Sequence, residues 1–412
     1  MSVLTVLKKT ASLARADAEF NAAYSGNQFG LRLSIAAESG TDEVSVVACN
    51  SDEMLVLEAP DCIWEQALAA VPEVGFHSFM ALTRHSKQFQ VRGTPLQVAQ
   101  SLHAVERLFE LMRGLVAQSP GDDYLAIESI VGRYSSICLP DGATPTLYWE
   151  QSGDTDKPIL LMLHTAGADA RQFHAVMADE QLRKQWNMVA FDLPAHGRSM
   201  PLKNSLWQRY ELSQKAYLAI CSAFIDQVLR QPVVLLGCSM GAAMTLKMAL
   251  SHPSQVLAAI ALEVPFRARG RRSPMLAHPA VNQAAHNPAY VRGLMSPVSS
   301  LFWRRVATWI YSQGGFGVYA GDLSFYSDEF DAGKDLEGLD GQHKSISILT
   351  GAYDYSATPA DSARVAAMIS GSRYVKMPDL GHFPMIENPS LLLKYLRIEL
   401  NHILGKLDRD DR

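Results

Sequence analysis

The apolar positions of this chain change rhythm more than once. Residues 31–38 (LRLSIAAE), 43–50 (EVSVVACN) and 54–60 (MLVLEAP) are short aliphatic runs separated by polar turns, and they predict three strands. CIWEQALAAV (62–71) and FHSFMALTRH (76–85) read as helical. In PLQVAQSLHAVERLFELMRG (95–114), Val98, Leu102, Val105, Phe109 and Met112 recur at alternating four- and three-residue steps, the stripe of an amphipathic helix. Strands first and helices after predict an N-terminal α+β domain over residues 1–118. AQSPGDDY (117–124) breaks the helical pattern with Pro and Gly and marks its boundary.

From residue 128 the pattern is different. RYSSICL and TLYWEQ predict a hairpin. PILLMLH (158–164), NMVAFDLP (187–194), PVVLLGCS (232–239), VLAAIALEV (256–264), ISILTGAYD (346–354) and RYVKMPD (373–379) then predict strands. Helical segments stand between and after them: KAYLAICSAFIDQVL, AAMTLKMALSH, PADSARVAAMI and PSLLLKYLRIELNHIL. Near-continuous apolar strands joined by helices imply a mostly parallel sheet covered on both faces. The alternation stops over 265–345, a stretch too long for a plain loop and expected to be a mostly helical insertion. The core is thus expected at 128–264 and 346–405.

Composition narrows the class. With 412 residues, two domains are expected. A net charge of −5 gives no global reason to bind nucleic acid or an anionic membrane. The N-terminal stretch lacks the order of a signal peptide, and no apolar run is long enough to span a bilayer. Five dispersed cysteines without a CxxC argue against disulfides and zinc and fit a reducing cytoplasm, the expected localisation. Cys238 reads as a small buried residue at a strand end. No metal or cofactor is implied.

The chemistry concentrates at strand ends. Gly237-Cys238-Ser239-Met240-Gly241 sits where a strand gives way to a helix, the context a nucleophile elbow requires. His382, in MPDLGHFPMIENP, follows the last strand and can act as the base. Two carboxylates end neighbouring strands, Asp354 in GAYD and Glu263 in ALEV. Asp354 is the expected orienter of the imidazole and Glu263 the alternative acid. An oxyanion hole needs two amides. One is expected from Met240, and the other from the loop HTAGADARQF (164–173), with Ala166 ahead of Thr165. Arg171 in that loop either contacts a substrate carboxylate or pairs with Asp169. Trp309 and Tyr326 are candidates for lining an apolar substrate pocket. The arginines of FRARGRRS read as a solvated hinge, and QGGFGVYAGD (313–322) lacks dinucleotide spacing and reads as a flexible segment near the pocket.

In sequence the chain resembles the α/β-hydrolase superfamily over about residues 130–405, carried in order by HTAG, DLPAHGRS, GCSMG, GAYD and LGHFPMIENP. The resemblance implies an α/β-hydrolase core with a mostly parallel sheet, a helical cap at 265–345 that closes over the serine, and an N-terminal α+β domain outside it. It also implies that His196 is structural. Thr165 departs from the Gly that many relatives carry. The N-terminal region more weakly resembles sterol-carrier-protein-2-like domains. It is expected to act as a dimerisation or lid element rather than a lipid carrier, which allows a homodimer. The expected activity is hydrolysis of a carboxylic ester of a small to medium, partly apolar molecule. A carbon–carbon hydrolase of a ring-cleavage dienoate and a non-catalytic lipid-binding or sensor protein are the alternatives.

Overall fold

The computed structural model describes residues 1–37, 40–114, 127–202 and 209–410. The boundary expected at 117–124 lies outside them. The chain divides into two units. One comprises Met1–Gly121 together with Pro274–Ser312, and the other Asp122–Ser273 together with Gln313–Arg412.

The first unit does not begin with strands, as expected, but with two helices, Val3–Ala16 and Ala18–Tyr24. Ser2 accepts a hydrogen bond from the Thr5 amide and caps the first helix, which buries Val3, Leu7, Ala11 and Ala14 along one stripe. The strands follow: β1 (Gly30–Ala37), β2 (Gly40–Val47), β3 (Met54–Ala59) and β4 (Gln90–Arg92), in the order β2-β1-β3-β4. β1 and β2 form a hairpin, and β1 runs parallel to β3. Helix Pro95–Met112 is held by a capping box between Thr94 and Gln97. Its predicted stripe is buried at Leu102, Val105, Phe109 and Met112. Trp64, Phe79, Phe89 and Phe109 fill the interior with ring contacts at 5.8–6.3 Å.

The polar face of that helix is buried as well, at His103, Glu106, Arg107 and Glu110. Helix Gln283–Leu294 packs on it, and Arg292 Nε donates to Glu110 at 2.9 Å. The stretch 265–345, expected as one cap, is therefore divided. Its part from Pro274 to Ser312 belongs to the N-terminal unit, where Arg292 and Arg304 on it pair with the buried Glu110.

The second unit is built on an eight-stranded sheet: β5 (Val131–Ser136), β6 (Thr146–Gly153), β7 (Ile159–Leu163), β8 (Asn187–Phe191), β9 (Val233–Cys238), β10 (Val256–Leu262), β11 (Ser345–Gly351) and β12 (Arg373–Met377). Their order is β12-β11-β10-β9-β7-β8-β6-β5. The first six in that order are parallel, while β6 pairs antiparallel with β8 and forms the expected hairpin with β5. Every residue of β7, β8, β9 and β11 is buried, as their unbroken apolar runs require. The chain steps from β7 outward to β8 and then returns to β9 on the other side of β7. Open α/β sheets place ligands at the carboxyl ends of strands at such a reversal. Among the described residues no helix is long and apolar enough to cross a membrane.

Candidate active site

β9 ends at the reversal, and Ser239 follows it with φ 56° and ψ −113°. A non-glycine residue held there stores on the order of 1–3 kcal/mol of strain, which the surrounding contacts must over-determine. Those contacts are tight. A Cβ on Gly237 would come within 2.2 Å of the Gly241 carbonyl oxygen, and one on Gly241 within 2.1 Å of the Leu163 carbonyl oxygen. Both glycines of the pentapeptide are therefore demanded by close backbone approach. The Ser239 amide donates to Leu262 at 2.9 Å and ties the turn to β10. Cys238 is fully buried, and burial pushes its thiol up.

His382 lies in the loop after β12. Its Nε2 is 2.8 Å from Ser239 Oγ, and its Nδ1 is 2.6 Å from Asp354 Oδ2. All three side chains are buried. The other carboxylate oxygen of Asp354 accepts the Ser356 and Ala357 amides at 2.6 and 2.9 Å. Glu387 clamps the histidine loop, accepting the amides on either side of His382, Gly381 and Phe383, each at 2.7 Å. A hydroxyl, an imidazole and a carboxylate in this order can pass a proton off the serine and stabilise the resulting imidazolium.

Glu263 does not reach His382. It ends β10 with φ 54°, is fully buried, and accepts the Gly351 amide at 2.9 and 3.0 Å to its two oxygens. The charged neighbour acting most strongly on it is the Asp354 carboxyl. Of the two carboxylates expected to compete for the imidazole, one touches it and the other stands behind.

The loop after β7 discriminates between its amides. Thr165 N donates to Gln172 Oε1 at 3.1 Å, and Gly167 N donates to Asp322 Oδ2 at 2.7 Å. Thr165, the second choice for an oxyanion donor, is thus committed to Gln172, and the Ala166 amide between them is the one to consider. Met240 supplies the first amide of helix Met240–Ser251.

A model of the alpha/beta hydrolase family matches residues 160–394, more than half of the 412 residues. The chain belongs to the alpha/beta hydrolase family. Solved structures agree on the fold at low identity. A hydrolase from Pseudomonas aeruginosa PA01 is 17% identical over 64% of this chain and 98% of its own, with a TM-score of 0.55. The enol-lactonase from Burkholderia xenovorans LB400 is 16% identical over 65% and 100%, with a TM-score of 0.54. A thermophilic esterase from Thermogutta terrifontis is 21% identical over 66% and 99%, with a TM-score of 0.53. No curated protein matches the chain.

In this α/β-hydrolase the remaining candidates separate. Arg171 spends its fork on the protein, with Nε and Nη2 on Asp169 at 2.8 and 2.5 Å and Nη1 on Gln313 at 2.6 Å. It is a loop brace, not a free clamp for a substrate carboxylate. Trp309 belongs to the N-terminal unit and is 51% exposed. Tyr326 is buried with its hydroxyl beside that of Ser239, and that hydroxyl has no well-aligned hydrogen-bond partner among the described residues. Burial pushes the phenol up, so it stays a donor.

Asp322 escaped the sequence reading. It ends the Gly-rich 313–322 stretch, is fully buried, and pairs with His196 Nε2 at 2.8 Å while accepting from Tyr210 at 3.0 Å and from Gly167 N. Burial works against charge on His196, but Asp322 outweighs it and raises the imidazole. Beside it, burial and then the charge of His196 push His164 down to about 4. Its Nε2 accepts the Leu193 amide at 3.1 Å, as a neutral ring can. His196 is structural, holding a carboxylate that in turn holds the loop after β7. Among the described residues no group of three or more His, Cys, Asp or Glu side chains could hold a metal ion.

Proposed function

We propose that the chain is a serine hydrolase that cleaves a carboxylic ester of a small to medium, partly apolar substrate through an acyl-enzyme. The observation that carries this is the unbroken hydrogen-bonded series from Ser239 through His382 to Asp354, ending on a strained elbow. Ser239 Oγ attacks the carbonyl carbon as His382 Nε2 takes its proton. The oxyanion of the tetrahedral intermediate is held by the amides of Met240 and Ala166, fixed in advance and therefore without reorganisation cost. The intermediate collapses as His382 returns the proton to the leaving alcohol. Water then repeats the sequence on the acyl-serine and releases the acid. Asp354, through His382 Nδ1, fixes the ring tautomer and stabilises the imidazolium.

The Tyr326 hydroxyl is assigned to the substrate side, as a donor beside the reacting serine. The carbon–carbon hydrolase reading called on Arg171 to bind a carboxylate, and the engagement of that side chain by Asp169 and Gln313 counts against it. The test is a fluorophosphonate probe followed by a p-nitrophenyl ester chain-length series, run beside amide and dienoate panels with Ser239→Ala as the control. Labelling at Ser239 with turnover of short to medium esters is the expected result. An unlabelled wild-type protein would return the chain to the binding or sensor class.

A further inference from the structure

Two neighbouring carboxyl groups buried inside a protein cannot both be ionised without a large repulsive cost, so the pair favours holding one proton. Glu263 and Asp354 are such a pair, fully or almost fully removed from solvent. Their other partners decide where the proton resides. Asp354 receives three N–H groups, from His382, Ser356 and Ala357. Glu263 receives one, from Gly351, shared between its two oxygens.

We infer that Glu263 carries a proton in the resting enzyme and donates it to Asp354 as a hydrogen bond, so that His382 is backed by two carboxyl groups holding one negative charge. Glu263 is a positioning residue, acting on the imidazole through Asp354, and the inference rests on the serine-hydrolase reading of this site. The backbone supports it. Glu263 adopts φ 54°, a conformation an L side chain rarely takes, at the end of β10. The surroundings agree. Among the described residues, the titratable groups that act on Glu263 include Asp354, Glu387, the Cys238 thiol and the Tyr374 hydroxyl, none of which brings a positive charge. Burial first, and then the charge of Asp354, push the Glu263 carboxyl well above the usual carboxylate range.

Donation to Asp354 disperses its charge and fixes its plane. Without the donor, the bare carboxylate attracts the imidazole proton more strongly, and the histidine becomes a free base only at higher pH. Glu263→Met, similar in size and without a donor, is therefore expected to slow fluorophosphonate labelling about 10-fold and to move the acid limb of its pH profile up by about half to one unit. Glu263→Gln can donate to Asp354 through its amide and accept from Gly351, and is expected to restore most of the rate with the acid limb within about 0.3 unit of wild type. If Glu263 were instead ionised, either change would delete a negative charge near His382, and both would move the limb down. A downward shift of about one unit in Glu263→Gln overturns the inference.

A second measurement needs no turnover. In full-length protein carrying δ-¹³C glutamate, the resonance missing from Glu263→Gln is expected at a carboxylic-acid shift at neutral pH. A carboxylate shift there overturns the inference. Absence of labelling in the wild type would end the serine-hydrolase reading and still leave this spectrum to decide the state of Glu263.

Discussion

In the N-terminal unit Glu110 is buried against Arg292, Arg304 and Arg107, whereas in the sheet unit Glu263 is buried against Asp354 and near Glu387. Burial pushes both carboxyls up. For Glu110 the guanidinium charges of Arg292 and Arg304 win and bring it down to about 2, while for Glu263 the neighbouring carboxylate adds to burial. Glu106, one turn before Glu110 on the same helix, has no ion pair among the described residues and is pushed up to about 7. Position in a unit is thus not the cause: burial raises each of these carboxyls, and closely paired arginines are what bring Glu110 down. A buried carboxylate matched by arginines is a structural brace. A buried carboxyl set against its own kind is pushed further up, and Glu263 stands so beside the proposed Ser239–His382–Asp354 series.

The contrast can be broken from either side. The largest effect is expected at the reacting pair, where Ser239→Ala and His382→Ala each lower kcat about 10⁵- to 10⁶-fold in ester assays. Next comes Asp354→Asn, which leaves His382 with the wrong tautomer and is expected to cost about 10³- to 10⁴-fold in kcat. Glu263→Gln costs far less in the same assay, and the reverse ranking would make Glu263 the acid of the triad. In the other unit, Arg292→Leu removes from Glu110 and Glu19 a buried partner they share and is expected to cost about 3 kcal/mol, read as a lower denaturant midpoint. The pH dependence sharpens the contrast further. The Glu110 contribution is fully present above its unfolded value near 4.5 and is lost as pH falls toward about 2. Glu263 has the opposite sign, since a carboxyl raised in the folded state loses stability as pH rises above that unfolded value. Asp322→Asn keeps an acceptor for the Gly167 amide but drops the charge facing His196. It has the smallest expected effect, a loss of about 3- to 10-fold in kcat from a loosened loop after β7.

How much of this was legible in the sequence follows the same line. The strands of the sheet unit were, because fully buried parallel strands read as unbroken apolar runs. Ser239 and Asp354 could be picked out because each follows closely on such a run, and His382 by its place in the loop after β12, although that strand is mostly exposed. The two N-terminal helices were missed although Leu7, Ala11 and Ala14 have helical spacing, since that stretch was weighed only as a leader. The division of 265–345 was not legible. It depends on Arg292 and Arg304 meeting Glu110, about 180 or more positions away in the chain, and charge complementarity has no period to read. Asp322 and Gln172 were hidden in quoted segments for a related reason. Each accepts a backbone amide, and the need for that acceptor exists only once the loop has its shape. The relation of Glu263 to Asp354 was half visible. Both carboxylates were placed at one sheet edge, but which of them turns toward the imidazole depends on the Ser356 and Ala357 amides and on φ 54° at Glu263.

The central claim is that Ser239 forms a covalent acyl intermediate in this site. Its most direct test is acid quenching during turnover of a short p-nitrophenyl ester, followed by peptide mass spectrometry. The account predicts an acyl group on the peptide bearing Ser239, and neither adduct nor turnover in Ser239→Ala. Ester hydrolysis that persists in Ser239→Ala, or an acyl group found on Cys238 instead, would contradict it.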